Sequence, residues 1–173
     1  LIVKGSNLFS VSSSADNMSD FSGITTVDGN GKLQLTSNGN LGGSIVVDTT
    51  GLLLGSGTAL GAVTVKNGGT LGVGDGNYLI AAADLDIKGG LTAQSGGTLH
   101  FTLNGTTAGT QYDQIKVTGT VGIGGATLVL GGTYTPQAGD VFTLVANDDS
   151  DAVTGTFDGL DEGDTVTYNG VNM

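Results

Sequence analysis

A six-residue phrase recurs along this chain at a fixed interval. Gly68-Gly69-Thr70-Leu71-Gly72-Val73 returns as Gly96-Gly97-Thr98-Leu99-His100-Phe101, and a looser form, Gly124-Gly125-Ala126-Thr127-Leu128, follows. The first glycines stand at 68, 96 and 124, so both intervals are 28 residues. Gly42-Gly43-Ser44-Ile45 reads as a degenerate earlier copy. A short alternating segment precedes each copy: Val63-Thr64-Val65-Lys66, Leu85-Asp86-Ile87-Lys88 and Ile115-Lys116-Val117. A strand-turn-strand unit of this size cannot bury its apolar residues alone. Stacked on its neighbours, it can share one continuous apolar column. Units of this length predict roughly six to eight coils.

The local pattern agrees. Apolar and polar residues alternate in Lys32-Leu33-Gln34-Leu35, Leu99-His100-Phe101-Thr102-Leu103 and Val166-Thr167-Tyr168. Period-2 alternation rich in Val, Ile and Thr marks half-buried strands. Asp28-Gly29, Asn38-Gly39, Asn67-Gly68, Asn104-Gly105 and Asn169-Gly170 supply turns that tolerate positive φ. One weak helical candidate, Tyr78 to Leu85, holds three alanines. The expected fold is all-β, a parallel β-helix or β-solenoid with atypical terminal strands. Residues 1–31 read as a lead-in or cap segment and residues 32–133 as the solenoid repeats. Residues 134–173, with the single Pro and an acidic loop, read as atypical closing strands.

Composition narrows the partners. The 173 residues include 33 Gly, no Cys, no Trp and no Arg, and five Lys against 16 acids give a formal net charge of −11. An acidic, Arg-free surface repels phosphate backbones, which argues against nucleic acid as a partner. No apolar run approaches the roughly 18 residues that span a bilayer. Without Cys there is neither a disulfide framework nor a thiolate site. Such a Gly/Thr/Asn-rich acidic chain suits a bacterial cell surface or extracellular location.

The run "GGTLHFTLNGTTAGTQYDQIKVTGTVGIGGATLVL" and the later "YTPQAGDVFTLVANDDSDAVTGTFDGLDEGDTVTYNGV" resemble the C-terminal part of passenger domains carrying autotransporter-associated β-strand repeats. The pieces that carry this resemblance are the Leu-Asn-Gly-Thr turn, the Gln-Tyr-Asp-Gln-Ile strand start, the Ala-Gly-Asp before an apolar strand, and Gly-Thr-Phe-Asp-Gly-Leu. It covers about residues 61 to 173. It implies a right-handed β-helix on a bacterial surface, in proteins often involved in adhesion or surface coating.

Each chemical motif has a plain structural reading beside it. Gly72-Val73-Gly74-Asp75-Gly76 lacks the following helix and the Lys that a phosphate loop needs. It shares a rhythm with calcium-binding nonapeptides, but those work in tandem and Asp75 occurs in one copy only. Asp148, Asp149 and Asp151, followed by Asp158, Asp161, Glu162 and Asp164, form the better candidate for structural calcium, because hard oxygen ligands in a loop suit that ion. A solvated acidic turn explains the same residues. Asp84 and Asp86 share one face of a strand beside Lys88, the arrangement a glycoside hydrolase needs in its paired carboxylates. A solvent-facing polar edge gives the same spacing. His100 stands between Leu99 and Phe101 and is expected to point outward. Asn17-Met18-Ser19 and Asn104-Gly105-Thr106 match the glycosylation acceptor pattern, as chance allows in such a composition.

No catalytic or cofactor-binding set emerges. The expectation is a non-enzymatic, passenger-like β-solenoid stalk that contacts a host-surface or matrix carbohydrate or protein through its flank. The alternative is a subunit of a head-to-tail fibre or surface layer, a homo-oligomer joined by strand addition at its ends, with Leu1, Ile2 and Val3 as the assembly residues. A carbohydrate-active β-helix enzyme ranks third.

Overall fold

The computed structural model describes residues 1–12, 18–74, 82–148 and 151–173. Three parallel sheets wind around one apolar column. Sheet A stacks Ile2–Val3 (β1), Ile24–Val27 (β3), Ser44–Val47 (β6), Val63–Val65 (β9), Leu91–Gln94 (β12), Val121–Gly124 (β15) and Val153–Thr154 (β18). Sheet B stacks Leu8–Val11 (β2), Lys32–Leu35 (β4), Leu52–Gly55 (β7), Thr70–Gly72 (β10), Thr98–Thr102 (β13) and Thr127–Gly131 (β16). Sheet C stacks Asn40–Leu41 (β5), Thr58–Ala59 (β8), Asp84–Ile87 (β11), Gln114–Val117 (β14) and Val145–Asn147 (β17), and Met18 bridges to Leu41 below them. An antiparallel hairpin, Thr167–Tyr168 (β19) with Val171–Asn172 (β20), closes the chain. The β-solenoid expected from the repeats is the fold observed.

Alternation explains which residues face the column. Leu33, Leu35, Ile45, Val47, Val63 and Val65 have no exposed surface, while their strand neighbours are partly or fully exposed; in β7 the alternation lapses, and Leu53 and Leu54 are both buried. Parallel register stacks like on like: Leu33 on Leu53, Leu53 on Leu71 through Thr70↔Leu52, and Leu71 on Leu99. Burying each leucine stabilises the coil by about 1.5–3 kcal/mol.

The repeat unit differs from the one its sequence suggests. A full coil has three strands, one in each sheet, and the two-residue strands such as Thr58–Ala59 leave no legible alternation in the sequence. Val63–Val65 therefore lies in sheet A, whereas Leu85 and Ile115 pair with each other in sheet C. The third copy is offset by 29 residues rather than 28, since Thr98 pairs with Thr127 and Ala126 is the extra residue at the corner. Gly42-Gly43-Ser44-Ile45 is not an earlier copy: Ile45 pairs with Val63 in sheet A, and the partner of Thr70 is Leu52. Of the helical candidate, Asp84 and Leu85 belong to a strand, and Tyr78–Ala81 lies outside the described residues.

The two glycines of the repeated phrase have separate tasks. Gly68 and Gly96 adopt φ of +79° and +77°, a conformation that costs a side-chain-bearing residue energy. Asn30 and Thr50 take the equivalent place in earlier coils at +64° and +60°. The second glycine passes close over the coil beneath. A Cβ at Gly51 would overlap the Val27 carbonyl, and one at Gly69 would lie 2.5 Å from the Val47 oxygen.

Within residues 1–31, β1, β2 and β3 join the stack, in register with the coils above. At the other end a second cluster of Leu103, Tyr112 and Tyr168 packs with Tyr134 and Phe142. Phe142 meets Tyr112 and Tyr134 edge to face, at centroid distances of 5.3 and 6.1 Å.

Candidate functional site

Sheet C carries two of the four lysine–aspartate pairs recorded on the flanks. Asp84 and Asp86 project outward from β11 while Leu85 and Ile87 fill the column. Parallel register sets Asp86 against Lys116 of β14. Lys116 nevertheless pairs with Asp84, and Lys88 reaches Asp86 at 3.4 Å. The carboxylates of the candidate catalytic pair thus each hold a lysine of their own flank. Between sheets A and B a second ladder runs from Lys4 to Asp28 at 3.1 Å and from Lys66 to Asp48 at 2.9 Å. Asp48 also accepts the amide of Thr49, and the Lys66 contact chiefly holds its carboxyl below the usual carboxylate range. Half-exposed pairs of this kind contribute about 0–1 kcal/mol each, so they fix register more than they stabilise.

Asp113 is the one fully buried acid among the described residues. It stands at the foot of β14, where its Oδ1 accepts the Ala83 amide at 2.9 Å and its Oδ2 accepts the Thr102 amide at 2.7 Å. Loss of solvent pushes its carboxyl up to about 6, against the pull of those two amides. The group clamps the loop 103–112 to two coils and has no opening to substrate. The sequence places Asp113 in the Gln-Tyr-Asp-Gln-Ile strand start, two residues before Ile115, so alternation puts both on the inward face.

His100 points away from the column, as expected, with Leu99 and Phe101 buried on either side. It is half-buried on the outer face of sheet B, and desolvation lowers its pKa. Asn104 reaches the following coil, its Oδ1 accepting the Thr133 amide at 2.9 Å.

The acidic loop does not assemble into a metal centre among the described residues. No three His, Cys, Asp or Glu side chains there converge on one point. Asp148 and Asp151 are exposed, and Asp149 lies outside the described residues together with Asp75, Gly76 and Asn17. Farther on, Asp164 accepts the Asp161 amide at 2.7 Å, which closes a local turn.

The expected assembly residues sit on the edge of sheet A. Ile2 and Val3 pair with Thr26 and Val27, and the Leu1 carbonyl accepts the Thr26 amide at 2.8 Å. Val3 is buried, while Ile2 is 67% exposed. With Leu8 and Phe9 they line a groove of about 230 Å³.

A second cavity was not anticipated. It measures about 270 Å³ and opens over the last sheet-B strand, between Leu128 and Leu130 on one side and Val141, Phe142 and Val166 on the other. No protein-family model, curated protein or solved structure matches the chain.

Proposed function

We propose that this chain is a non-enzymatic structural or adhesive segment of a bacterial surface or extracellular protein, a passenger-like β-solenoid stalk. The carrying observation is the pairing of the flank charges: Asp28 and Asp48 between sheets A and B, and Asp84 and Asp86 on sheet C, each hold a neighbouring lysine. A hydrolase requires two carboxylates free to converge on one bond. A spacer requires a continuous core, which the stacked coils supply. The resemblance to autotransporter-associated repeats supports the surface location. The test is mild protease treatment of intact source cells, followed by mass spectrometry of the released peptides. Release of this chain supports the reading; retention inside the cells refutes it, and so does turnover of a polysaccharide by the purified chain.

A second reading, head-to-tail assembly, is favoured by the exposed Leu1, Ile2, Leu8 and Phe9 around the first groove. Unpaired strand edges flanked by apolar side chains are templates for another chain. Light scattering at rising concentration tests it. Growth that disappears on deletion of residues 1–4 supports end pairing, and a constant monomer mass rejects it.

A further inference from the structure

The geometry points to the open edge of β16 as an acceptor for an extended peptide strand from another protein. The strand added there runs parallel to β16, carries two apolar residues in an apolar-x-apolar pattern, and has basic residues at its amino-terminal end. The stalk would then hold a partner through its end as well as its flank.

The edge is defined by register. Thr127 donates its amide to Gly97, and Gly131 accepts the Leu103 amide, so alternate residues of β16 face β13. Leu128 and Leu130 therefore turn their amides and carbonyls the other way, where no described strand lies. Their side chains sit at the end of the apolar column and are only partly buried, although Leu99 and Phe101 below them are fully buried. The cavity of about 270 Å³ covers these two side chains. A strand paired to β16 directs its inward residues into that space, the arrangement of strand addition.

The chain itself enters this position and then leaves it. Asp158 donates its amide to the Ala126 carbonyl at 2.9 Å, as the first residue of a seventh sheet-B strand would. Gly159 follows at φ +68°, and the chain turns off. Asp158 thus stands at the amino-terminal end of the vacant position; Asp161 and Glu162 follow in the turn beside Thr156 and Phe157, and Asp164 bonds the Asp161 amide. Lys116 is the last lysine, and eight acids follow it between Asp140 and Asp164. That charge selects basic residues ahead of the added strand.

A second copy of this chain fits less well. Its β2 could cap β16, but its β1 would then fall at the level where β18 already pairs with β15. An isolated strand meets no such obstacle.

The probe is the fluorescein-labelled peptide Lys-Lys-Gly-Thr-Leu-Thr-Leu-Gly, titrated with the chain and followed by anisotropy. Saturable binding is expected, weakened about tenfold when both lysines are replaced by glutamate. Val141→Trp should fill the cavity and abolish binding; Val141 is 78% exposed, so the fold does not depend on it. Independently, the Leu128 and Leu130 amides should exchange with deuterium quickly in the free chain and slowly with peptide. Absence of saturable binding overturns the proposal, as does binding indifferent to Val141→Trp. Self-association that the peptide cannot displace overturns it in favour of a second copy.

Discussion

Asp113 and Thr102 exchange two hydrogen bonds: the Thr102 amide donates to Asp113 Oδ2 at 2.7 Å, and the Asp113 amide donates to the Thr102 carbonyl at 2.9 Å. The carboxylate is ionised at the expense of burial, and its folded pKa lies near 6 against a reference of 3.8. The folded state therefore binds this proton more tightly than the unfolded state. The contribution is most favourable below about pH 4 and is lost as pH rises through 6. It is worth at most about 3 kcal/mol, at 1.36 kcal/mol per pKa unit. Asp48, whose folded pKa is lowered, works in the opposite sense and loses its contribution as pH falls below the ordinary carboxylate range. The clean measurement is a difference. Urea unfolding of wild type and Asp113→Asn between pH 4 and 7 should show the wild type losing stability relative to the variant as pH rises. A difference constant with pH excludes an elevated Asp113.

The stacked corners give a graded series. A Cβ at Gly51 overlaps the Val27 carbonyl, whereas one at Gly97 finds its nearest atom, the Lys66 oxygen, at 3.0 Å. Backbone cannot yield as a side chain can. Gly51→Ala should cost about 3 kcal/mol and Gly97→Ala about 1 kcal/mol, with Gly69→Ala between them. Equal midpoints in urea for the three variants would contradict close stacking as the reason for the second glycine.

The fold class was legible because the solenoid writes its geometry twice, once as alternation within strands and once as a repeat between coils. The phrase starting at Gly68 exposed both at once, since register sets Thr70 on Thr98 and Leu71 on Leu99. What was lost had a physical cause. Sheet C contributes strands as short as Asn40–Leu41 and Thr58–Ala59, too brief to alternate, so a three-sided coil read as a two-sided one. Coil length varies: Leu33 to Leu53 is 20 residues and Leu53 to Leu71 is 18, because corner loops change while inward columns do not. Among candidate residues, the outward faces of Asp84, Asp86 and His100 followed from alternation alone. Their ion-pair partners did not, because Lys116 lies one coil away from Asp84. The amide partners of Asp113, Ala83 and Thr102, and the vacant place beside β16 depend on how loops fold back, which no local pattern encodes.

Thr25 faces the column in β3, with no exposed surface, and its register partner is Ile45. Its hydroxyl has no hydrogen-bond partner among the described residues. A buried hydroxyl without a partner costs about 1–3 kcal/mol, and valine keeps the shape while removing it. Thr25→Val should therefore raise stability by about 1 kcal/mol, read as a higher urea midpoint at unchanged slope. A lower midpoint would show that the hydroxyl is engaged in solution.

The closing hairpin is held from one side. Tyr168 lies buried against Leu103, and its hydroxyl donates to the Gly131 carbonyl at 2.6 Å and approaches the Leu103 carbonyl at 3.3 Å. Gly131 ends β16 and Leu103 directly follows β13, so one side chain ties the hairpin to the last coils. Asn169 adds a donor to the Tyr134 carbonyl at 2.7 Å. Tyr168→Phe keeps the ring in its cluster and removes the hydroxyl, at a cost of about 1 kcal/mol. The loss should be local, because β19 and β20 pair only with each other among the described residues and not with a sheet of the column. Deuterium exchange should accelerate at the Val166 and Met173 amides, which bond to each other's carbonyls at 3.1 and 2.9 Å, and stay unchanged at Leu71 and Leu99. Uniform acceleration across the stack would mean that the hairpin and the solenoid unfold as one unit.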